Sequence, residues 1–255
     1  MTALQARRLD VSIGPVQVCR KLDLDISAGE RWCILGRNGA GKTTLLHTLC
    51  GLHAADAGTI TLNGKPLDSL PRKLLARGIG ILLQDHGNQF PATVLETALV
   101  GRHPWLGALQ WESADDRARA QEALQETGLS GMASRMTDTL SGGEQRRLDI
   151  ATLLTQNPEI FLLDEPTNHL DLHQQVRILK LLGELAEGFG RAVCMTLHDI
   201  NMAARFCSHF LLLFGDGDTA QGTTTTVLTP GNLERLYRHE LRCVDTPEGP
   251  VWLPR

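Results

Sequence analysis

The chain has 255 residues, 42% hydrophobic and 21% charged, a balance that excludes disorder and leaves ample material for a real core. A formal net charge of -4 gives no overall electrostatic footprint for nucleic acid, and the longest apolar runs, such as Phe210-Leu211-Leu212-Leu213-Phe214, are far too short to cross a bilayer. The N-terminus lacks a signal-peptide core, so a cytosolic protein is expected.

Residues 7–30 alternate as two antiparallel strands, Leu9-Asp10-Val11-Ser12-Ile13 and Leu22-Asp23-Leu24-Asp25-Ile26, around a Gly14-Pro15 turn. The apolar run Trp32-Cys33-Ile34-Leu35 then stops at Gly36, passes Asn38-Gly39-Ala40-Gly41 and re-emerges as a helical pattern through Leu49. Gly36, four residues, then Gly41-Lys42-Thr43 is the spacing of a phosphate-binding loop. Its glycines let successive N–H groups point inward at a helix N-terminus. One helix end contributes only about 0.3–1 kcal/mol towards a nearby negative charge. Lys42 therefore supplies a full positive charge at the β- and γ-phosphates, and the Thr43 hydroxyl a ligand for Mg²⁺. A glycine-rich turn that binds nothing is disfavoured by the readable strand and helix on either side. The motif predicts a nucleoside triphosphate, without saying which machine uses it.

Thr59-Ile60-Thr61-Leu62 and Asn63-Gly64 predict a second hairpin, and Ile79-Gly80-Ile81-Leu82-Leu83 a buried strand ending at Gln84. From Asp85 to Asn157 the pattern turns mostly helical, as in an inserted subdomain. There Ser113 caps a helix through Glu126, with Asp115 and Asp116 in its first turn and Gly128 as its stop. Trp105 and Trp111 read as the packing centre of that subdomain. Leu140-Ser141-Gly142-Gly143-Glu144 opens a further helix through Leu148, Ala151 and Leu154 that stops at Asn157-Pro158. This is a second set of N–H groups suited to an anion, yet without a lysine; taken alone it reads as a capped helix start.

Ile160-Phe161-Leu162-Leu163 is a continuous apolar strand of the kind buried in a parallel sheet, and it ends in Asp164-Glu165-Pro166. Acidic residues at that end, in a chain with a phosphate loop, are placed to serve Mg²⁺ and an attacking water. A helix from Gln174 to Glu187 leads to the strand Ala192–Leu197 and then to His198-Asp199. The strand-end position points to a site role for His198, while Asp199 also suits a helix cap. From His209 the order is strand, Gly215-Asp216-Gly217 turn, strand, a short helix near Leu233–Tyr237, and a final strand and tail with Pro247, Pro250 and Pro254. The cysteines Cys19, Cys33, Cys50, Cys194, Cys207 and Cys243 have no paired spacing and read as small buried thiols.

The phosphate loop, Gln84, Leu140–Glu144, Phe161-Leu162-Leu163-Asp164-Glu165 and His198, in that order over nearly the whole chain, resemble the nucleotide-binding subunit of ATP-binding cassette (ABC) transporters. The resemblance implies an α/β fold, a P-loop NTPase ABC cassette with an antiparallel β part and an inserted helical subdomain. Residues 1–255 then form one ATPase domain, with 1–84 and 158–255 as its core and 85–157 as the helical subdomain.

It also implies roles. Gly36, Asn38, Gly39, Ala40, Gly41, Lys42, Thr43 and Thr44 would hold the phosphates of ATP, with Thr43, Gln84 and Asp164 around Mg²⁺. Glu165 would be the general base, His198 would contact the γ-phosphate, and Gln84 would sit at the hinge of the helical subdomain. Ser141, Gly142 and Gly143 would touch ATP held by a second copy of the chain, giving a homodimer around two ATP, and Asp171 would link the two sites. The implied partners are that second copy, an integral-membrane permease and, through it, a substrate-binding protein, with no nucleic acid. The implied location is the cytoplasmic face of the inner membrane. Gln89-Phe90-Pro91 and Gly101-Arg102-His103-Pro104 are the candidate permease contacts.

One position departs from the family pattern: Ile13 stands where an aromatic residue commonly stacks on adenine. Base–aromatic stacking is worth roughly 1–3 kcal/mol in single-stranded nucleic-acid complexes, so adenine selectivity is less well supported than triphosphate binding. Residues 101–104, the run DEPTNHLDLHQQ over 164–175 and residues 197–205 look like importers of ferric siderophores, haem, cobalamin and related metal chelates, with much shared by molybdate-type importers. Thr167–Asp171 also resembles non-transport ABC ATPases of the translation-factor type. Those usually carry two cassettes and a long charged linker, whereas this chain has one phosphate loop, one LSGGE and no linker.

Overall fold

Alternating burial builds the first layer. A computed structural model describes residues 2–84, 91–247 and 249–255. Strands β1 (Thr2–Ile13) and β2 (Val16–Ser27) pair antiparallel across Gly14, with Leu22, Leu24 and Ile26 buried and Asp23 and Asp25 exposed. After β3 (Arg31–Gly36) and α1 (Lys42–Leu49), strand β4 (Ala57–Leu62) returns to pair with β1, and β5 (Lys65–Pro66) follows across Asn63-Gly64. Both turn residues have positive φ, 50° and 78°, which is what the expected two-residue hairpin requires. The order of this antiparallel sheet is β2-β1-β4-β5.

The chain continues through α2 (Arg72–Gly78), β6 (Ile79–Leu82), α3 (Val94–Leu99), α4 (Ala114–Glu126), α5 (Gly142–Gln156), β7 (Ile160–Leu163) and α6 (Leu172–Phe189). It then forms β8 (Ala192–Thr196), α7 (Ile200–Phe206), β9 (His209–Leu213), β10 (Thr219–Thr223), α8 (Thr224–Val227), α9 (Pro230–Tyr237), β11 (Leu241–Thr246) and β12 (Gly249–Pro254). The second sheet has the order β10-β9-β3-β8-β7-β6, parallel except for β10. Its apolar strands feed two cores at once. Ile34, Ile160, Leu162, Cys194 and Leu211 join the core shared with the antiparallel sheet and α1. Leu35, Phe161, Leu163, Val193 and Phe210 join the core under α6 and α7. A strand buried on both faces has no polar positions to spare, which is why these runs read as continuous hydrocarbon.

A third core lies between α3, α4 and α5, built from Val94, Ala98, Leu99, Ala120, Leu124, Leu148 and Ala151. Trp105 and Trp111 are not its centre, contrary to expectation. The guanidinium groups of Arg77 and Arg102 lie over the Trp105 ring, at 4.9 and 5.1 Å from its centroid, and its indole N–H donates to the Gln156 carbonyl. An indole flanked by cations and tied by its polar tip works at a surface, and Trp111 is 85% exposed. The C-terminus also departs from expectation, because β11 and β12 form a hairpin instead of a strand and a loose tail. Pro250 and Pro254 are compatible with it, since a two-stranded ribbon has only edges. Trp252 is buried, and its backbone exchanges two hydrogen bonds with the Asn201 side chain on α7.

Helix ends follow their caps. Ser113 begins α4 and Gly128, at φ +74°, follows its end; Asn157, at φ +54°, terminates α5. Helix α6 starts two residues earlier than the sequence pattern suggests, because the Asp171 carboxylate accepts the Gln174 N–H at 2.8 Å and so fixes the cap. The cysteines Cys19, Cys33, Cys50, Cys194 and Cys207 are buried free thiols and Cys243 is exposed. Burial pushes the Cys19 thiol up to about 12 and Cys50 up to about 11, so both stay protonated at neutral pH. Among the described residues, no helix is long and apolar enough to cross a membrane.

The cap of α4 gives a first prediction. The Asp116 carboxylate accepts the Ser113 N–H and hydroxyl and then an Arg102 bond at 2.6 Å, which together hold its pKa down at about 2. Its folded value lies below the ordinary 3.8, so this stabilisation is complete above that pH and is lost as pH falls towards 2. Asp116→Asn is expected to lower the melting temperature at neutral pH and to flatten the acid limb of the stability curve. Identical acid limbs in parent and variant would refute the assignment.

Candidate active site

Strand β3 delivers the chain to Gly36, where a Cβ would come within 3.2 Å of Ala40 Cβ and of the Leu213 carbonyl oxygen. Gly39 and Gly41 have φ of +79° and +92°, and a Cβ on Gly41 would meet Val18 Cγ2 at 2.3 Å. The loop therefore needs glycine for close approach at one end and for backbone conformation at the other. Helix α1 begins at Lys42 with no side-chain cap and no acidic residue in its first turn, so its N–H groups remain available to an anion. Ala40 is buried beneath the loop.

Lys42 is only 7% exposed and its ammonium donates to the carbonyls of Gly36 at 2.8 Å and Arg37 at 3.4 Å. Burial lowers its pKa, while Glu165 and Asp164 oppose that shift. A buried cation held chiefly by neutral carbonyls has electrostatic capacity left for an anion.

Parallel pairing of β6, β7, β8 and β3 brings their carboxyl ends to one edge, where ligands bind in open α/β sheets. Thr43 donates to Asp164 Oδ2 at 2.5 Å, joining the loop helix to the end of β7. The Thr196 hydroxyl donates to Asp164 Oδ1 at 2.7 Å and accepts the Glu165 N–H at 2.8 Å. Glu165 has φ +50°, uncommon for a residue with a side chain. Its carboxylate meets His198 Nε2 at 2.5 Å, Gln84 Nε2 at 3.3 Å and the Asn168 side-chain amide. A cavity of about 390 Å³ opens above these groups, within the range of small-ligand sites. It is lined by Asn38, Gly39, Gly41, Lys42, Thr43 and Thr44 from the loop and helix α1, by Gln84, Glu165 and His198 from the strand ends, and by the half-exposed Ile13.

Ser141, Gly142, Gly143 and Asp171 are not brought into this cavity. Ser141 caps α5, its hydroxyl accepting the Glu144 N–H, while the Glu144 carboxylate takes the Ser141 N–H and hydroxyl. Those Ser141 bonds, with Arg135 behind them, hold Glu144 below its ordinary carboxylate range. Gly143 passes close to the loop after β7, with a Cβ reaching 3.0 Å from the His169 carbonyl. Asp171 caps α6, and Asp199 caps α7 through the N–H groups of Asn201 and Met202.

Three residues that sequence reasoning passed over belong to this assembly. Arg146, buried on α5, donates to the carbonyls of Leu83 at 2.6 Å, Glu165 at 2.8 Å and Asp164. The helix that begins with Ser141 is thus fastened to two strand ends of the cavity. Asn168 and Thr196 are the others, and a hydroxyl within the run Ala192-Val193-Cys194-Met195-Thr196 was the available signal for the second.

A phosphate loop, acidic strand ends and a separate Ser-Gly-Gly helix start define a nucleotide-hydrolysing cassette, and the chain belongs to the ABC transporter family, whose pattern residues 19–168 match. It is an ATP-binding ATPase of that family, with the family's α/β cassette fold. It is 35% identical over 248 residues to the iron(3+)-hydroxamate import ATP-binding protein FhuC of Bacillus subtilis, covering 97% of this chain and 92% of that protein. It is similar to the structure of an inward-facing transporter described as of metal-chelate ABC type, with 28% identity, a TM-score of 0.86, and coverage of 100% of this chain and 98% of that one. A dimeric ATP-binding cassette in a post-hydrolysis state, bound to ADP and Pi, matches with 30% identity, a TM-score of 0.76, and coverage of 87% of this chain and 98% of that one.

Proposed function

We propose that the chain dimerises around two ATP and powers a separate membrane permease that imports a metal chelate, a ferric siderophore, haem or cobalamin. The observation that carries this reading is the split of the phosphate-binding features. The cavity holds Lys42 and Glu165, whereas the Ser141–Gly143 helix start lies outside it. A second copy placed head to tail would present that helix start, with Asp171, to the first copy's γ-phosphate. The dimeric relative bound to ADP and Pi and the iron-chelate import relative support the two halves of the proposal.

Within one site, the loop N–H groups from Gly36 to Thr44 and Lys42 would bind the phosphates. Thr43, Asp164 and Gln84 offer hydroxyl, carboxylate and amide oxygens, a hard donor set suited to Mg²⁺. When bound, that ion would offset negative charge on the β- and γ-phosphates. Glu165 polarises a water and accepts its proton as the water oxygen bonds to the γ-phosphorus and the bond to the ADP oxygen breaks. His198, already at Glu165, orients the γ-phosphate. The aliphatic wall at Ile13 leaves the base less tightly specified than the phosphates.

The division into a core of 1–84 with 158–255 and a helical subdomain of 85–157 would let Gln84 act as a hinge. A largely apolar groove of about 490 Å³ lies beside that hinge, with Ile81, Leu82, Ala92, Val100 and Leu153 among its lining and Glu96, Thr97, Asp149, Thr152 and Gln156 as its polar part, and is suited to a permease segment. Of the contacts expected from sequence, Gln89 and Phe90 lie outside the described residues and Pro91 is exposed. Gly101 is buried and Arg102 is committed to Asp116, so His103 is the exposed candidate of that group. The permease would hold the chain peripherally on the cytoplasmic face of the inner membrane and connect it to a substrate-binding protein.

The test is affinity purification of tagged Glu165→Gln protein from detergent-solubilised native cells with ATP present, and identification of partners by mass spectrometry. A multi-span membrane protein is expected. Ribosomes without a membrane partner would overturn the transport reading in favour of a translation-factor type ATPase.

A further inference from the structure

Thr196 ends β8 with no exposed surface, between Met195 and Leu197, in a strand whose other side chains are apolar. Its single hydroxyl proton goes to Asp164 Oδ1, and its oxygen receives the Glu165 N–H. One small side chain thus holds the carboxylate of the first acid and the backbone of the second. Asp164 Oδ2 is left to face Thr43 at the start of the phosphate-loop helix.

Both restraints act on soft degrees of freedom. The last torsion of an aspartate is broad and roughly two-fold, so pinning Oδ1 decides which oxygen faces Thr43. Glu165 occupies a left-handed conformation at φ +50°, and such a conformation persists only where the surroundings over-determine it. Here Thr196 holds its N–H and Arg146 its carbonyl. From that backbone its carboxylate reaches His198 at 2.5 Å and Gln84 at 3.3 Å.

We propose that Thr196 is a positioning residue for ATP hydrolysis: its hydroxyl orients Asp164 towards the metal-and-phosphate side of the cavity and fixes Glu165 where its carboxylate can polarise water. This rests on the roles proposed above for Asp164 and Glu165. The hydroxyl, and not the methyl, carries the effect. Valine has nearly the shape of threonine, yet would strip a donor from a carboxylate and leave the Glu165 N–H buried without an acceptor.

Thr196→Val, Thr196→Ser, Thr196→Ala and Glu165→Gln would be prepared in the 255-residue chain. Phosphate release is measured against ATP and against Mg²⁺, with the melting temperature of each variant. The gain in ATP affinity on adding Mg²⁺ is measured separately for Thr196 variants made in the Glu165→Gln background, which reports on Asp164 without turnover. Thr196→Val is expected to lower kcat about 30-fold, equivalent to about 2 kcal/mol of barrier, with the KM for ATP changed less than about threefold. It should also raise the Mg²⁺ concentration for half-maximal rate and shrink the Mg²⁺-dependent gain in affinity. Thr196→Ser should restore kcat to within about threefold of the parent, because it keeps the hydroxyl. Thr196→Ala removes the same hydroxyl without adding a methyl group and gives the reading if the valine variant does not fold.

Equal kcat in the hydroxyl-free and serine variants would overturn the proposal. So would a loss of kcat that follows melting temperature across the series while both Mg²⁺ readouts stay unchanged, since that describes a purely structural residue. Parental turnover in Glu165→Gln would instead refute the role of Glu165 on which the inference rests. An inactive Glu165→Gln beside a fully active Thr196→Val would leave that role standing and remove Thr196 alone.

Discussion

Glu165→Gln is expected to retain ATP affinity within a few-fold while turnover falls by about 10²–10⁴-fold, the usual range for loss of a positioned general base. The substitution keeps the size of the side chain and touches none of the backbone restraints, because Thr196 holds the N–H and Arg146 the carbonyl of residue 165. The phosphate loop, with Lys42 at its own carbonyls, is likewise untouched. What disappears is the negative charge to which the proposed mechanism delivers a proton from water. With binding intact and product formation blocked, ATP should hold two chains together long enough for size-exclusion chromatography to show a dimer. Wild-type rates of phosphate release from the variant would refute Glu165 as the base.

Lys42→Ala should produce the opposite pattern, with binding lost first. Lys42 is nearly buried, and its pKa is lowered by that burial even though Glu165 and Asp164 favour its charge. Removing one partner of a buried, hydrogen-bonded charge pair costs about 2–5 kcal/mol, so ATP affinity should fall by about 30-fold or more. The protein itself should remain folded, because the alanine variant discards a cation whose burial is costly. Calorimetric titration with ATP beside thermal melting checks both halves, and unchanged affinity would contradict the phosphate-loop reading. The pair of variants separates holding the nucleotide from cutting it.

The features that were legible in the sequence depend on near neighbours. Ser113 and Asp116, or Asn63 and Gly64, specify a cap or a turn through bonds spanning a few residues, and the structure places those features as expected. Gly36 to Thr43 announces its loop for the same reason. Thr196 and Arg146 were passed over because their partners lie across space: a threonine in a strand matches ordinary β-propensity, and an arginine on a helix matches an ordinary solvated face. Trp105 was misread for a related reason. Its size suggested a core, but of the two cations stacked on it only Arg102 is a near neighbour in the chain, and Arg77 comes from α2. The C-terminal hairpin was missed because prolines signal a break more strongly than two short edge strands signal a ribbon.

The position of β3 has a consequence for how the protein is made. Its two hydrogen-bonded neighbours, β8 and β9, are encoded far downstream: Arg31 pairs with Val193, and Trp32 with both Cys194 and His209. A nascent chain emerges from the ribosome at about 5–20 residues per second. The phosphate-loop strand therefore waits for about 8–30 seconds with both edges unpaired, until β8 arrives. The β1–β2 hairpin can close at once, whereas Glu165 has neither its Thr196 nor its His198 partner on any nascent chain that stops short of β8. Synthesis order thus makes β3 the segment most in need of shielding during that wait.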